Sequence, residues 1–399
     1  MIKFTYANIH NNTDKYHSYL ALAQRCATDI IQNLGDEPKY KIFDFQTTRQ
    51  DIDNLSEITK HIKDRYKNII IVAMGGAMLN PQSLLNLNGA LEQKNIYFLG
   101  NTDPIYFENL VQKIDLQDSA IIIISNSGNT LETIALSKMM IATYKNANIN
   151  EYGKHFFFIT NPINGALQKI AKDINAVIIP HQAGISGRFS GLTNVTTFIG
   201  IIAGIDIEEY LNGAESALTD FINNPHAPSI IAAANISTAA KPIMVSLAYL
   251  QQFNYFLEWY CQIIAESLGK NNQSITPIRG LGPNDQHSML QLYIEGPDDK
   301  FYNFFYVSNL GTNQNTNSDI FSYLRQINDI NFTATKETLE SIGRPLRSIM
   351  LPDLSAHTIG DLTANMMLET ILLCKMAGVN PFDQPGVELI KTRTNKLVA

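Results

Sequence analysis

Ala120-Ile121-Ile122-Ile123-Ile124-Ser125-Asn126-Ser127-Gly128-Asn129-Thr130-Leu131-Glu132-Thr133 decides the fold class of this chain. Its first five residues form a short, apolar, largely β-branched run, the composition of a strand buried on both faces of a parallel sheet. Hydroxyls, amides and one glycine follow, and Leu131 to Met140 then reads as a helix. A polar loop between a buried strand and a helix start offers unpaired backbone N–H groups and the positive end of the helix dipole. The hydroxyls of Ser125, Ser127, Thr130 and Thr133 suit the oxygens of a phosphate monoester. The Gly-x-x-x-x-Gly-Lys-Ser/Thr signature of nucleoside-triphosphate binders is absent, so a sugar phosphate fits better than ATP. Taken alone, the stretch is equally consistent with a Ser/Thr-rich N-cap that holds no ligand.

The same alternation extends in both directions. Short apolar strands are expected at 68–73, 96–99, 120–124, 155–160 and 176–180, separated by helical patterns. Five such strands imply a doubly wound parallel sheet, whose ligands bind beyond the carboxyl ends of the strands. Gly75-Gly76, Asn101-Thr102-Asp103, the Ser125–Thr133 loop and the loop around Arg188 all fall at those ends. A less regular half follows Gly204, with candidate strands at 242–245, 275–278, 301–307 and 346–351. The Asn-rich stretch from Asn309 to Asn317 reads as a surface loop, and no short-period repeat is present. The expected organisation is an N-terminal segment 1–45, α/β domains 46–205 and 206–375, and a C-terminal helix 376–399.

Composition narrows the function. The net charge of −7 leaves no excess of basic residues to displace phosphate counterions, which argues against a general nucleic-acid binder. Three scattered cysteines fit a reducing compartment, and eight histidines show no metal-ligand spacing, so neither a structural zinc nor another metal is expected. No apolar signal core opens the sequence, and no stretch approaches the roughly 20 residues needed to span a bilayer. A cytoplasmic protein is expected, without a membrane or nucleic-acid partner.

Four further segments could carry chemistry. Gly187-Arg188-Phe189-Ser190 places a permanent, planar cation after a glycine, able to hold an anion or stabilise developing charge. Gln262 and Glu266 share one face at the end of an apolar helix that Gly269 stops, and Glu266 is a candidate general base. His287 lies in a turn-rich loop where an imidazole could shuttle a proton. Lys391 stands seven residues after Gln384, two turns along one helical face. Read singly, each has an ordinary explanation: a surface arginine, a solvated glutamate, an exposed histidine, a basic residue in a terminal helix.

Taken together and in this order, the segments resemble the glucose-6-phosphate isomerase family from about Ile69 to Lys391. Phe382-Asp383-Gln384-x-Gly386-Val387-Glu388-x-x-Lys391 matches the C-terminal signature of that family, and Gly187-Arg188-Phe189-Ser190 matches its other signature. Glu266-Ser267-x-Gly269-Lys270 and Gln286-His287 match its catalytic segments. The resemblance implies two sugar isomerase (SIS) domains, an α/β fold of mainly parallel sheets flanked by helices. It implies a cofactor-free aldose–ketose isomerase of glycolysis and gluconeogenesis acting on glucose 6-phosphate and fructose 6-phosphate, as a homodimer. Glu266 would move a proton between C1 and C2, and Arg188 would stabilise the cis-enediolate. His287, reaching into the partner's site, and Lys391 would assist ring opening. Ser125, Ser127, Thr130 and Thr133 would hold the phosphate, while Gly75, Gly76, Gly187, Gln262 and Gln384 would line the sugar site. The chain departs from the usual pattern at Ala77 (serine), Asn126 (lysine), Gly128 (phenylalanine) and Ser186 (glycine or proline). Those departures bear on phosphate affinity and substrate strictness rather than on the reaction class. A broader isomerase that also accepts mannose 6-phosphate, and a non-catalytic SIS-type sensor, are the competing readings. A sensor would have no use for Glu266, Arg188, His287 and Lys391 together.

Overall fold

The computed structural model of the chain describes residues 2–9, 13–35, 38–92, 95–161, 165–272, 274–309 and 318–398. Residues 310–317, most of the Asn-rich stretch expected to be a surface loop, lie outside them. Among the described residues ten strands form two five-stranded sheets. They are β1 (Lys3–Ala7), β2 (Asn68–Val72), β3 (Asn95–Leu99), β4 (Ser119–Ser125), β5 (Phe156–Thr160) and β6 (Val177–Pro180), then β7 (Ile243–Ala248), β8 (Thr276–Leu281), β9 (Lys300–Val307) and β10 (Leu346–Leu351). The first sheet runs β3-β2-β4-β5-β6, all parallel. The second runs β1-β10-β9-β7-β8, parallel except for its edge strand β1. The fold is thus a mixed α/β arrangement of two mainly parallel, helix-flanked sheets.

Strand β1 was not anticipated. Lys3-Phe4-Thr5-Tyr6-Ala7 pairs antiparallel with β10, Lys3 opposite Met350 and Ala7 opposite Leu346. An edge strand with a solvated side carries polar residues and lacks the continuous apolar run that marks a central strand. The N-terminal segment therefore completes the second sheet, although it is distant from that sheet in sequence.

Period-two alternation divides the core. In the first sheet Ile69, Ile71, Ile122, Ile124, Phe157 and Ile159 face one way, into the largest hydrophobic cluster. Their neighbours Ile70, Val72, Ile121, Ile123, Phe156 and Phe158 face the outer helices. The second sheet divides likewise: Met244, Phe301, Phe305 and Ile349 join the large cluster, and Val245, Tyr302, Phe304 and Leu346 form a separate outer one. Helices Gly76–Asn88, Asn194–Ala203, Asn254–Leu268 and Ala356–Met376 contribute to the shared core.

A buried polar network fixes helix Asn254–Leu268 within that core. Glu369 pairs with Arg347 of β10, both side chains being fully buried, and Tyr260 donates to Glu369 Oε1 at 2.6 Å. Arg347 Nε also donates to Asn303 Oδ1 at 2.9 Å. Tyr260 lies on the same helix as Gln262 and Glu266, so this network sets the pose of the helix that carries them. Among the described residues no helix is long and apolar enough to cross a membrane.

Candidate active site

The carboxyl ends of β2 and β4, the loop after β6, helix Asn254–Leu268 and the C-terminal helix Pro385–Val398 enclose a cavity of about 430 Å³. That volume lies within the range of small-ligand pockets, about 300–1,000 Å³. Gly75, Gly76, Ser125, Ser127, Thr130, Thr133, Gly187, Arg188, Gln262, Glu266, Gln384 and Lys391 all line it. Ala77, Asn126 and Ser186, three of the four departures, line it as well.

The loop after β4 departs from an ordinary N-cap. Thr130 is the N-cap residue of helix Leu131–Asn146, yet its side chain makes no capping bond. Its hydroxyl lies 3.1 Å from that of Ser125. Thr133 is fully buried, and its Oγ1 has no hydrogen-bond partner among the described residues. Buried hydroxyls are normally paired, so an unpaired one on a residue that lines a cavity is a candidate contact for ligand oxygen. The first N–H groups of two helices open here, because Gly76–Asn88 also begins at the cavity.

Close backbone contact explains the glycines. A Cβ on Gly76 would lie 2.4 Å from the backbone of Gly187 and Arg188, so only glycine lets these two loops meet. Asn80 ties them together, donating to Gly76 O at 2.7 Å and to Gly187 O at 3.0 Å. Gly75 has φ +56°, and a Cβ there would press on Gln262 Nε2 at 3.1 Å.

Arg188 is the hub of the other wall. Its Nε donates to Ser267 Oγ at 2.9 Å. Nη1 donates to Glu266 Oε2 at 3.2 Å and to Gln384 Oε1 at 2.9 Å. Nη2 donates to the carbonyls of Pro381 at 2.6 Å and Asp383 at 2.9 Å. All five guanidinium N–H donors are therefore in use. Burial depresses the Arg188 pKa from its ordinary value and the Glu266 carboxylate offsets part of that, but a guanidinium stays protonated regardless. The other oxygen of Glu266 accepts from Gln262 Nε2 at 2.9 Å, across one helical turn. Two donors thus hold the carboxylate at the cavity wall, with the Glu266 side chain 30% exposed. Lys270 anchors the segment before the C-terminal helix by pairing with Asp383 at 2.8 Å. On that helix Lys391 and Val387, one turn apart, both line the cavity.

His287 is placed elsewhere. It is exposed at the start of helix Gln286–Glu295 and is absent from the cavity lining. Conversely, His181 lines the cavity without having been singled out in the sequence. Its position directly after β6, at a strand's carboxyl end, was the available signal. Ser267, one residue after the candidate base, was quoted only as part of a motif and proves to be a partner of Arg188. Among the described residues no group of three or more His, Cys, Asp or Glu side chains is arranged to hold a metal ion.

The family model described as phosphoglucose isomerase matches residues 50–399. A glucose-6-phosphate isomerase from Campylobacter jejuni is 30% identical over 96% of this chain and 97% of its own length. Another, from Methanocaldococcus jannaschii, is 30% identical over 81% of this chain and 82% of its own. The crystal structure of a glucose-6-phosphate isomerase from Chlamydia trachomatis superposes with a TM-score of 0.85 at 17% identity, covering 100% of this chain and 88% of that one.

Proposed function

This chain belongs to the phosphoglucose isomerase family, and from that premise we propose that its cavity interconverts glucose 6-phosphate and fructose 6-phosphate. The observation that carries the reading is the meeting of two features in one cavity: a cluster of hydroxyls at a helix N-terminus, that of Thr133 unpaired, and a carboxylate held between Gln262 and Arg188. Phosphate binds at Ser125, Ser127, Thr130, Thr133 and the start of helix Leu131–Asn146. The sugar carbons then lie toward Gly75, Gly76, Gly187, Gln262 and Gln384. Glu266 takes the proton from C2 of the open-chain aldose and returns it to C1, while the hydroxyl proton passes from O2 to O1, leaving the ketose.

The enediolate between those two steps is anionic. Arg188 supplies a fixed positive charge beside it, but every donor is already engaged, so a direct bond requires Nη1 to release Glu266 or Gln384. Both of these partners line the cavity, which makes Nη1 the exchangeable end of the guanidinium. Lys391, together with the His287 of a second copy of the chain, serves ring opening. A homodimer accounts for His287 lying outside its own chain's cavity. We retain 46–205 and 206–375 as the two SIS domains and the cytoplasm as the setting. The test is a coupled assay of purified protein on glucose 6-phosphate with and without EDTA. Turnover in both is expected; no turnover, or full loss in EDTA with recovery on adding a divalent metal, contradicts the reading.

A further inference from the structure

The chain leaving β6 does not enter a helix; residues 181–188 run back across the carboxyl ends of the first sheet. His181 N–H bonds to Thr160 O at the end of β5 at 3.0 Å. Asn126 of the phosphate loop donates to Ile185 O at 2.7 Å, and Gly187 ends the run against Gly76. His181 is only 3% exposed, yet it lines the cavity. Its Nδ1 lies 2.8 Å from the Gln182 carbonyl. A carbonyl only accepts, so Nδ1 carries the hydrogen and the Nε2 of a neutral ring is a bare lone pair. Nε2 is buried and has no partner among the described residues. Three further buried side-chain oxygens are unpaired as well: Thr133 Oγ1, Thr160 Oγ1 and Ser186 Oγ. His181, Thr133 and Ser186 line the cavity, so bound ligand can supply partners that the described residues do not.

The lining residues of the phosphate loop and of 181–187 include no cation. Among the described lining residues the cationic side chains are Arg188, whose donors are all taken, and Lys391, which the C-terminal helix carries. A phosphate monoester near pH 7 brings between one and two negative charges, and a bare imidazole lone pair would repel it. One proton on Nε2 turns that repulsion into a charge-assisted hydrogen bond. We propose that His181 is a further phosphate-binding residue whose Nε2, protonated in the complex, donates to a phosphoryl oxygen. The proposal rests on the phosphosugar reading of the cavity. The proton comes from solvent or from the phosphate monoanion, and no bond to carbon changes.

In the free protein burial lowers the His181 pKa and the Gln182 carbonyl offsets part of that, which favours the neutral ring. Charged groups on the surrounding elements are Arg188, Glu266 and Lys391 on the cavity walls, Arg49, Asp51 and Asp53 on helix Phe45–Asn54, and Glu132 in the first turn of helix Leu131–Asn146. Lys169, Lys172 and Asp173 lie on helix Ala166–Asp173, while helix Asn194–Ala203 carries no charge. Asp51 accepts from the Gln182 side chain at 2.7 Å and Arg49 pairs with Glu208 and Glu215, so neither is the phosphate's counter-charge.

The experiment compares wild type with His181→Gln. At pH 6.5 the variant should raise KM for fructose 6-phosphate by about tenfold or more with kcat nearly unchanged, and by less at pH 8.5. Should the variant not fold, the imidazole ¹⁵N spectrum of the wild-type protein decides: saturating inorganic phosphate at pH 7.5 should move the His181 Nε2 signal from the lone-pair to the protonated position. A folded His181→Gln protein with unchanged KM at both pH values, or an Nε2 that stays unprotonated under phosphate, overturns the proposal. Wild-type protein without isomerase activity would instead sink the phosphosugar reading itself, so the two failures are distinguishable.

Discussion

Replacing Arg188 by lysine keeps the positive charge and removes the geometry, which makes it an informative perturbation of the site. Arginine here satisfies five acceptors from three nitrogens: Ser267, Glu266, Gln384 and the carbonyls of Pro381 and Asp383. Lysine offers three donors on a single nitrogen, so at least two of these acceptors lose their partner. A buried acceptor left unpaired costs about 1–3 kcal/mol, giving roughly 2–6 kcal/mol for two. Three of the five contacts hold 381–384, the segment that leads into helix Pro385–Val398 and Lys391. The loss should therefore appear first as local opening of the C-terminal segment rather than as global unfolding. Hydrogen exchange followed by mass spectrometry should show faster exchange across 381–398 with the first sheet unaffected. Turnover should fall by tenfold or more, the factor that corresponds to about 1.4 kcal/mol. An Arg188→Lys protein with unchanged protection in 381–398 and turnover within about twofold of wild type would refute the hub role.

Other outcomes follow from the same geometry. Ser127→Ala and Thr130→Ala should raise KM for either sugar phosphate and leave kcat nearly constant; a fall in kcat at fixed KM would show the loop to be more than a binding element. Hybrid dimers of His287→Ala and Glu266→Gln chains should regain part of the activity that each variant lacks, and no regain in verified hybrids would place His287 in its own chain's site. Burial pushes the carboxyl of Asp361 up to about 6, against the opposing bond from Asn365. A carboxyl whose pKa rises on folding stabilises the fold below its unfolded value, and that contribution is lost as pH rises through the folded value. Asp361→Asn should accordingly raise the thermal midpoint at pH 8 and leave it unchanged near pH 4, and equal shifts at both would remove the assignment.

Much of this arrangement was legible in the sequence because central parallel strands must be apolar on both faces. Ile69–Val72, Ile121–Ile124 and Phe156–Ile159 are such strands, and the loops that follow β2, β4 and β6 carry most of the cavity lining. Gln262 and Glu266 were readable as neighbours because helical spacing fixes which side chains share a face. Strand β1 was hidden because an edge strand needs no apolar run, and its partner strand β10 lies more than 330 residues away in sequence. The five contacts of Arg188 were hidden for the same reason of distance: Ser267, Glu266 and the 381–384 segment converge only in the folded chain. His181 offered only its position after a strand's carboxyl end, since a buried histidine and an exposed one look alike in sequence and only its orphaned Nε2 separates them.

The central claim is that Glu266 carries the proton between C2 and C1. Its most direct measurement is the exchange of the C2 proton of open-chain substrate with D₂O, followed by NMR, in wild type and in Glu266→Gln. The account predicts that the variant still binds sugar phosphate but loses exchange and turnover together, by about 10²–10⁴. Exchange and turnover near the wild-type rate in a folded Glu266→Gln protein would contradict it and move the base to another group on the cavity wall.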